Sequence, residues 1–254
     1  MTSAFLEIIK TLASLSSLAM NLSPSPSMYK IHKEKPCGEV QVLPLLSFWG
    51  SCHIWMLYGY LSGSIFPLFV TFIVGDALAI GYLFVYYRYT AERAKVRKLL
   101  VYLLLWNVLI TLVAFSGSEF MGITHASKSE TGDVVGYIAD TISVLLYASP
   151  FATLARVIKT KSVATIPIAM VVVGACSNSL WVIYGFYISD MIVVVPNVIC
   201  VTFGCVQTIV YAIYRPKTSS TRHADIGKED LTSQSTIDIV FSPKLEFQAL
   251  RSPN

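Results

Sequence analysis

Two tryptophans and two asparagines carry the chemistry most easily read from this chain. Trp55 and Trp181 each offer a flat apolar face and one N–H donor, and Asn197 offers a carboxamide that donates and accepts together. Such a set suits a neutral polyhydroxylated solute, whose hydroxyls need paired donors and acceptors and whose C–H faces need flat apolar surface. Cys52 and Asn178 stand three positions before the tryptophans, one turn away on the same helical face, and extend the set. Enzymatic chemistry is not legible: His32, His53, His125 and His223 are scattered, and no nucleophile, base and oxyanion hole can be assembled from the spacing. Cys37, Cys52, Cys176, Cys200 and Cys205 form neither a C-x-x-C pair nor a His/Cys cluster with metal spacing, so neither cofactor nor metal is expected.

A duplication sets the positions of these residues. Pro24, Trp55, Tyr58 and Gly59 recur as Pro150, Trp181, Tyr184 and Gly185, each 126 positions further on. The copies are edited, since Pro44 stands 11 positions before Trp55 and Pro167 stands 14 before Trp181. Proline removes a backbone donor and bends a helix, a defect that membrane bundles tolerate where neighbouring groups meet the freed carbonyl. Pro24, Pro44, Pro150 and Pro167, at repeat-related places, therefore read as hinges and as the inner gate of a moving part.

The elements that hold these residues are membrane spans. Hydrophobic residues make up 54% of the 254 and charged ones only 13%, with a mean hydropathy of +0.62, well outside the range of soluble domains. Runs of roughly the 20 residues that cross a bilayer fall at 5–24, 40–61, 65–87, 99–117, 134–155, 164–187 and 191–214. The run at 99–117 has no partner at the 126 offset. The expectation is an all-α membrane protein whose seven transmembrane helices are arranged 3+1+3, two parallel triple-helix bundles joined by an inversion linker helix. Three helices reverse the direction of the chain, so a second unit shares the orientation of the first only if one more crossing intervenes. The domains are then 1–88, the first bundle; 89–130, the linker helix with its flanking loops; 131–214, the second bundle; and 215–254, a tail rich in Ser, Thr and charge that cannot bury a core and is expected to be disordered and cytosolic.

Basic residues orient the spans, because Lys and Arg are retained on the cytoplasmic side of short loops. One alternating set of loops, together with the tail, collects 17 of the 19 Lys and Arg, leaving Lys10 and Lys128 on the other side. The N-terminus is expected outside and the C-terminus in the cytosol. The net charge of +4 is then a topology signal rather than a nucleic-acid footprint. No cysteine falls in an outward loop, so a disulfide framework is not expected.

The run NLSPSPSMYKIHKEKPCGEVQVLPLL followed by Trp55-x-x-Tyr58-Gly59, and its partner YASPFATLARVIKTKSVATIPI followed by Trp181-x-x-Tyr184-Gly185 and VVPN, resemble the two signature blocks of the SWEET sugar transporters. The resemblance is colinear over roughly residues 5 to 214 and includes the unpaired fourth span. It implies bidirectional uniport of sugar by alternating access, through one mid-membrane site between the bundles. In the family an Asn in the last span of each bundle frames that site, with the positions of Trp55 and Trp181. Asn197 and Trp181 match, whereas in the first bundle an ungapped offset puts Thr71 opposite Asn197, and alignment of Gly75 and Tyr82 on the family spacing puts Phe72 there. Tyr58, Tyr184 and Asp190 belong by resemblance to an outer gate, in which Ser62, Gly63 and Ser64 stand where the family often has a lysine. A cavity narrowed by two tryptophans and Phe72 favours monosaccharides. The implied partners are a small-molecule sugar and the lipid bilayer, without nucleic acid and compatible with a homo-oligomer, and the implied location is the plasma membrane.

Two other readings compete. Asp76 and Asp140 lie within spans, where carboxylates are costly and usually functional, and motivate a proton-coupled carrier of the PQ-loop type. Against it, neither bundle has a Pro-Gln pair, and Asp140 has Ser14 at the equivalent place. A seven-span receptor would share the topology, but the common type lacks such a duplication.

Overall fold

The computed structural model describes residues 2–35, 37, 40–117, 119–146, 154–155, 157–159 and 168–214. Pro150, Pro167 and the tail lie outside them. Among the described residues all regular structure is helical: α1 (Thr2–Asn21), α2 (Ser25–Glu34), α3 (Val42–Leu61), a wide turn over Ile65–Phe69, α4 (Val70–Tyr89), α5 (Arg93–Ala114), α6 (Lys128–Leu146), α7 (Ile168–Tyr187) and α8 (Met191–Tyr214). The bounds repeat with the sequence. Helices α1 and α6 begin 126 positions apart, α3 and α7 both begin and end 126 apart, and the wide turn before α4 begins 126 before α8.

Of the four repeat-related prolines, the two among the described residues act differently. Pro24 has no N–H, and around it the chain turns more tightly, Ser23 and Ser25 donating to the carbonyls of Met20 and Leu22 at 3.0 and 2.9 Å. The first span therefore bends at Pro24 rather than ending there, and its apolar segment runs Ala4–Glu34. Pro44 is the third residue of α3. The first N–H groups of a helix have no partner within it, so this proline removes no bond, and it begins the helix without bending it.

Seven spans are expected from the sequence; among the described residues five segments are long and apolar enough by length and composition, Ala4–Glu34, Ile65–Tyr89, Arg93–Ala114, Met170–Tyr187 and Met191–Tyr214. The other two long helices, of which α6 is described only as far as Leu146, fall below that hydropathy through their polar residues. Helix α3 carries Trp49, His53, Trp55, Tyr58 and Tyr60, and α6 carries Lys128, Glu130, Asp133 and Asp140. The aromatic and histidine side chains lower the hydropathy of α3, and the charged ones that of the described part of α6.

The packing follows the repeat. Helix α3 packs on α4 as α7 packs on α8, α1 on α4 as α6 on α8, and across the halves α1 meets α7 as α6 meets α3. The glycines of the Trp-x-x-Tyr-Gly runs explain the closeness of the first pairing. A Cβ on Gly59 would lie 2.7 Å from the Phe69 nitrogen, and one on Gly185 would lie 2.8 Å from a Val194 methyl. One buried core joins both halves, with Ile54, Trp55 and Tyr58 from one and Trp181, Tyr184 and Val193 from the other. Helix α5 packs on α3, α4 and α6 while its Tyr102, Leu105 and Leu109 stay exposed, as suits a peripheral span facing lipid tails.

Candidate functional site

Between the halves lies a cavity of about 210 Å³, lined by Ser17, Met20 and Asn21 of α1, Ser51 and Trp55 of α3, Leu68 and Phe72 of the wide turn and α4, Ser143 of α6, Ser177, Asn178 and Trp181 of α7, and Val193, Pro196 and Asn197 of α8. No ionisable side chain is among these residues. Helical spacing puts them there: Ser51 and Trp55, and Ser177 and Trp181, are four apart and share a face.

The aromatic groups form a layered wall. Trp55 and Phe72 stack with centroids 6.1 Å apart at 24°, and Phe72 meets Trp181 at 6.0 Å and 34°. Each tryptophan in turn stands edge-on to the tyrosine of its own repeat, Trp55 to Tyr58 at 5.7 Å and Trp181 to Tyr184 at 5.8 Å. The Trp181 indole N–H is already given to Ser17 Oγ at 2.7 Å, so Trp181 offers a solute its face rather than its donor. Ser16 and Ser177 join at 2.9 Å in the same layer. Asn178 donates from Nδ2 to the Gly174 carbonyl at 2.8 Å, and Asn197 to the Val193 carbonyl at 2.7 Å. Each of these amides is thereby held in one rotamer with its remaining polar valences free of helix duty.

Five residues expected at the site line the cavity: Trp55, Phe72, Asn178, Trp181 and Asn197. Two do not. Thr71 is buried and donates to Ser14 Oγ at 3.0 Å, between α1 and α4. Cys52 is buried with its sulfur turned toward Gly75, whose added Cβ would stand 2.7 Å from it. The α4 positions 71, 75, 79 and 82 form the buried stripe, so Phe72, one residue off that stripe, is the one that reaches the cavity. The serines, Met20 and Asn21 are absent from the sequence reading. Ser17 with Ser143 and Ser51 with Ser177 are 126-residue pairs, so the register that marks the tryptophans also marks them.

One turn beyond the tryptophans, hydrogen bonds tie the halves together. Tyr58 donates to Asp190 Oδ2 at 2.7 Å, and the Tyr184 and Ser64 hydroxyls join at 2.7 Å. Tyr58 with Tyr184, and Ser64 with Asp190, are again 126 apart, so the duplication supplies two equivalent cross-links, one to a carboxylate and one to a hydroxyl. Asp190 also caps α8, its Oδ1 accepting the Val193 N–H at 3.2 Å. The three residues expected at the outer gate are thus brought together, and Ser64 joins them.

Of the intramembrane acids, Asp76 faces His53, with Oδ1 3.6 Å from Nδ1, and His53 Nε2 bonds Thr111 of α5 at 2.9 Å. Asp140 keeps one buried carboxylate oxygen without a hydrogen-bond partner. Neither acid lines the cavity.

Two like halves around a small, uncharged, aromatic and amide-lined cavity define a membrane carrier for a small neutral solute. The family is shown by comparison with known proteins. The family model described as sugar efflux transporter for intercellular exchange, MtN3_slv, matches residues 7–94 and again 133–219, two stretches whose starts are 126 apart and which leave all but the first two residues of α5 between them. The chain belongs to this family, one of transporters and not of enzymes. It is 27% identical over 238 residues to the bidirectional sugar transporter NEC1 of Petunia hybrida, covering 92% of this chain and 87% of the relative. Against the bidirectional sugar transporter SWEET9 of Arabidopsis thaliana it is 26% identical over 230 residues, covering 90% and 87%. A solved eukaryotic SWEET transporter has the same fold, with a TM-score of 0.70 at 21% identity over 84% of this chain and 98% of that one.

Proposed function

We propose that this protein is a bidirectional sugar uniporter that works by alternating access at the cavity between its halves, and that it favours monosaccharides. The observation that carries the reading is the lining itself: two aromatic faces, amides and serines, with no ionisable side chain. A pyranose ring meets such a surface with its C–H faces on the indoles and its hydroxyls on the amides. A cavity of about 210 Å³ is below the roughly 300–1,000 Å³ of sites for drug-sized ligands, which supports one sugar ring over two.

The proposed domains are the triple-helix bundles at 1–88 and 131–214, with 89–130 as the inverting linker, and the twofold family match supports them. In this reading Tyr58–Asp190 and Tyr184–Ser64 close the outer side, and the bend at Pro24 is the described hinge on the inner side. The proposed location is the plasma membrane with the N-terminus outside, and impermeant labelling of a tag at either end tests it.

Uptake of radiolabelled glucose, fructose and sucrose in a transport-deficient cell tests the function, with Asn197→Ala as control. Glucose or fructose uptake above sucrose, reduced about tenfold or more by the control, is expected; unimpaired transport by Asn197→Ala would remove the central assignment. The His53–Asp76 pair favours a second reading, proton coupling. Liposome uptake indifferent to an imposed pH gradient rejects it, and sensitivity supports it.

A further inference from the structure

We propose that Asn21 is the sugar-binding amide of the first half, a specificity-determining residue supplied from α1 where Phe72 of α4 leaves none. The inference rests on the reading of the central cavity as the sugar site. Asn21 is the last residue of α1 and lines the cavity beside Trp55 and Phe72. Its amide nitrogen is buried and has no hydrogen-bond partner, whereas the amides of Asn178 and Asn197 both donate to their own helices. A buried donor without a partner is unfavourable, and interiors rarely keep one unless a ligand or water meets it. As described, the nitrogen lies against Gly75 and out of reach of a solute in the cavity, and a sugar hydroxyl becomes its partner of matching chemistry when the amide turns toward the cavity that Asn21 lines.

The surroundings are shaped for this amide. A Cβ on Gly75 would lie 2.9 Å from Asn21 Nδ2, so α4 admits the side chain only because position 75 is glycine. The backbone carbonyl of Asn21 is held from α4, accepting from the Tyr82 hydroxyl at 3.1 Å, while that hydroxyl also joins Ser25 Oγ at 2.6 Å just past the bend. Asn21 therefore stands at the junction between the cavity and the Pro24 hinge, where a bound hydroxyl would be felt by the moving part. The duplication gives no hint of it, because the residue 126 positions on is Tyr147.

An amide that only packs against Gly75 would affect all sugars alike; one that binds a hydroxyl discriminates at one carbon of the ring. In cells lacking hexose uptake, competition of each monodeoxyglucose against radiolabelled glucose is compared for the wild type, Asn21→Ala and Asn197→Ala. One deoxy analogue is expected to compete on the order of fivefold less well than glucose against the wild type. Asn21→Ala removes that difference and leaves the other ratios in place, and adding Phe72→Asn restores discrimination from the neighbouring helix. Unchanged ratios in Asn21→Ala with altered ratios in Asn197→Ala overturn the proposal and leave the cavity reading intact; unchanged ratios in both overturn both. Where Asn21→Ala does not reach the membrane, Gly75→Ala, which pushes the amide away with Asn21 present, is read by the same ratios: a shift at one carbon supports the proposal and no shift overturns it.

Discussion

The two halves share their packing and differ in their polarity. Each tryptophan stands edge-on to its tyrosine, and each Trp-x-x-Tyr-Gly glycine lets its helix approach the next. At four equivalent places, however, the second half carries the stronger polar group: Asp190 against Ser64, Asp140 against Ser14, Asn178 against Cys52, and Asn197 against Thr71. Packing is what two copies must have in common if they are to fold alike. Polar groups at the seam are free to diverge, because a single solute needs only one full set of partners. The cavity lining reflects this: Trp55 and Phe72 come from the first half, while two of its three amides, Asn178 and Asn197, come from the second.

The sharpest way to break this comparison is at Asn197. Asn197→Ala removes an amide that its own helix holds in place, and transport is expected to fall by about tenfold or more at equal surface expression. The first-half position behind it, Thr71, bonds Ser14 away from the cavity, so Thr71→Val is expected to leave relative sugar uptake unchanged. Equal losses from both would mean that the halves contribute alike.

The cross-links between the halves come next. Tyr58→Phe removes a hydrogen bond to a carboxylate, about 1.5–3 kcal/mol, and Tyr184→Phe one between hydroxyls, about 0.5–1.5 kcal/mol. Labelling of Ser51→Cys in the cavity by an impermeant thiol reagent from outside reads the difference. Tyr58→Phe is expected to raise the labelling rate on the order of tenfold, and Tyr184→Phe about threefold. The reverse order would place the dominant closing contact in the other half.

A smaller asymmetry lies at the glycines. A methyl on Gly59 meets backbone at Phe69, which cannot rotate away, whereas one on Gly185 first meets the Val194 side chain. Overpacking costs about 1–3 kcal/mol, and Gly59→Ala is expected at the upper end with Gly185→Ala below it. Thermal unfolding in detergent checks the order, at roughly 2–4 °C per kcal/mol.

Much of this was legible in the sequence because one register, 126, governs it. The tryptophans, the tyrosines and the helix bounds all follow that register. The sequence was less informative where a side chain's direction depends on a single residue of helical phase. Thr71 and Phe72 are neighbours, yet one is buried against Ser14 and the other stacks on Trp55, and the ungapped offset favours the wrong one. Pro44 reads as a kink until the start of α3 at Val42 shows that it lies in the first turn. Asn21 carries no repeat signal, and only the packing of α1 on α4 brings it to the cavity.

The least effect is expected at the start of the second half. Ser127 and Glu130 form a reciprocal cap on α6: the Ser127 N–H and hydroxyl donate to Glu130 Oε2 at 2.7 and 2.9 Å, and the Glu130 N–H donates to Ser127 Oγ at 3.3 Å. In the first half position 4 is alanine, so α1 has no such acid. The donors from Ser127 hold the fully exposed Glu130 carboxyl below its ordinary pKa of 4.5. A carboxyl with a depressed folded-state pKa stabilises the fold above its unfolded value, and that contribution is lost as pH falls through the folded one. Glu130→Gln is therefore expected to lower the melting temperature slightly at neutral pH, and the gap to the wild type should close on acidification below 4.5. A gap that stays constant with pH would mean that the charge is irrelevant and that the cap acts through its hydrogen-bond geometry alone.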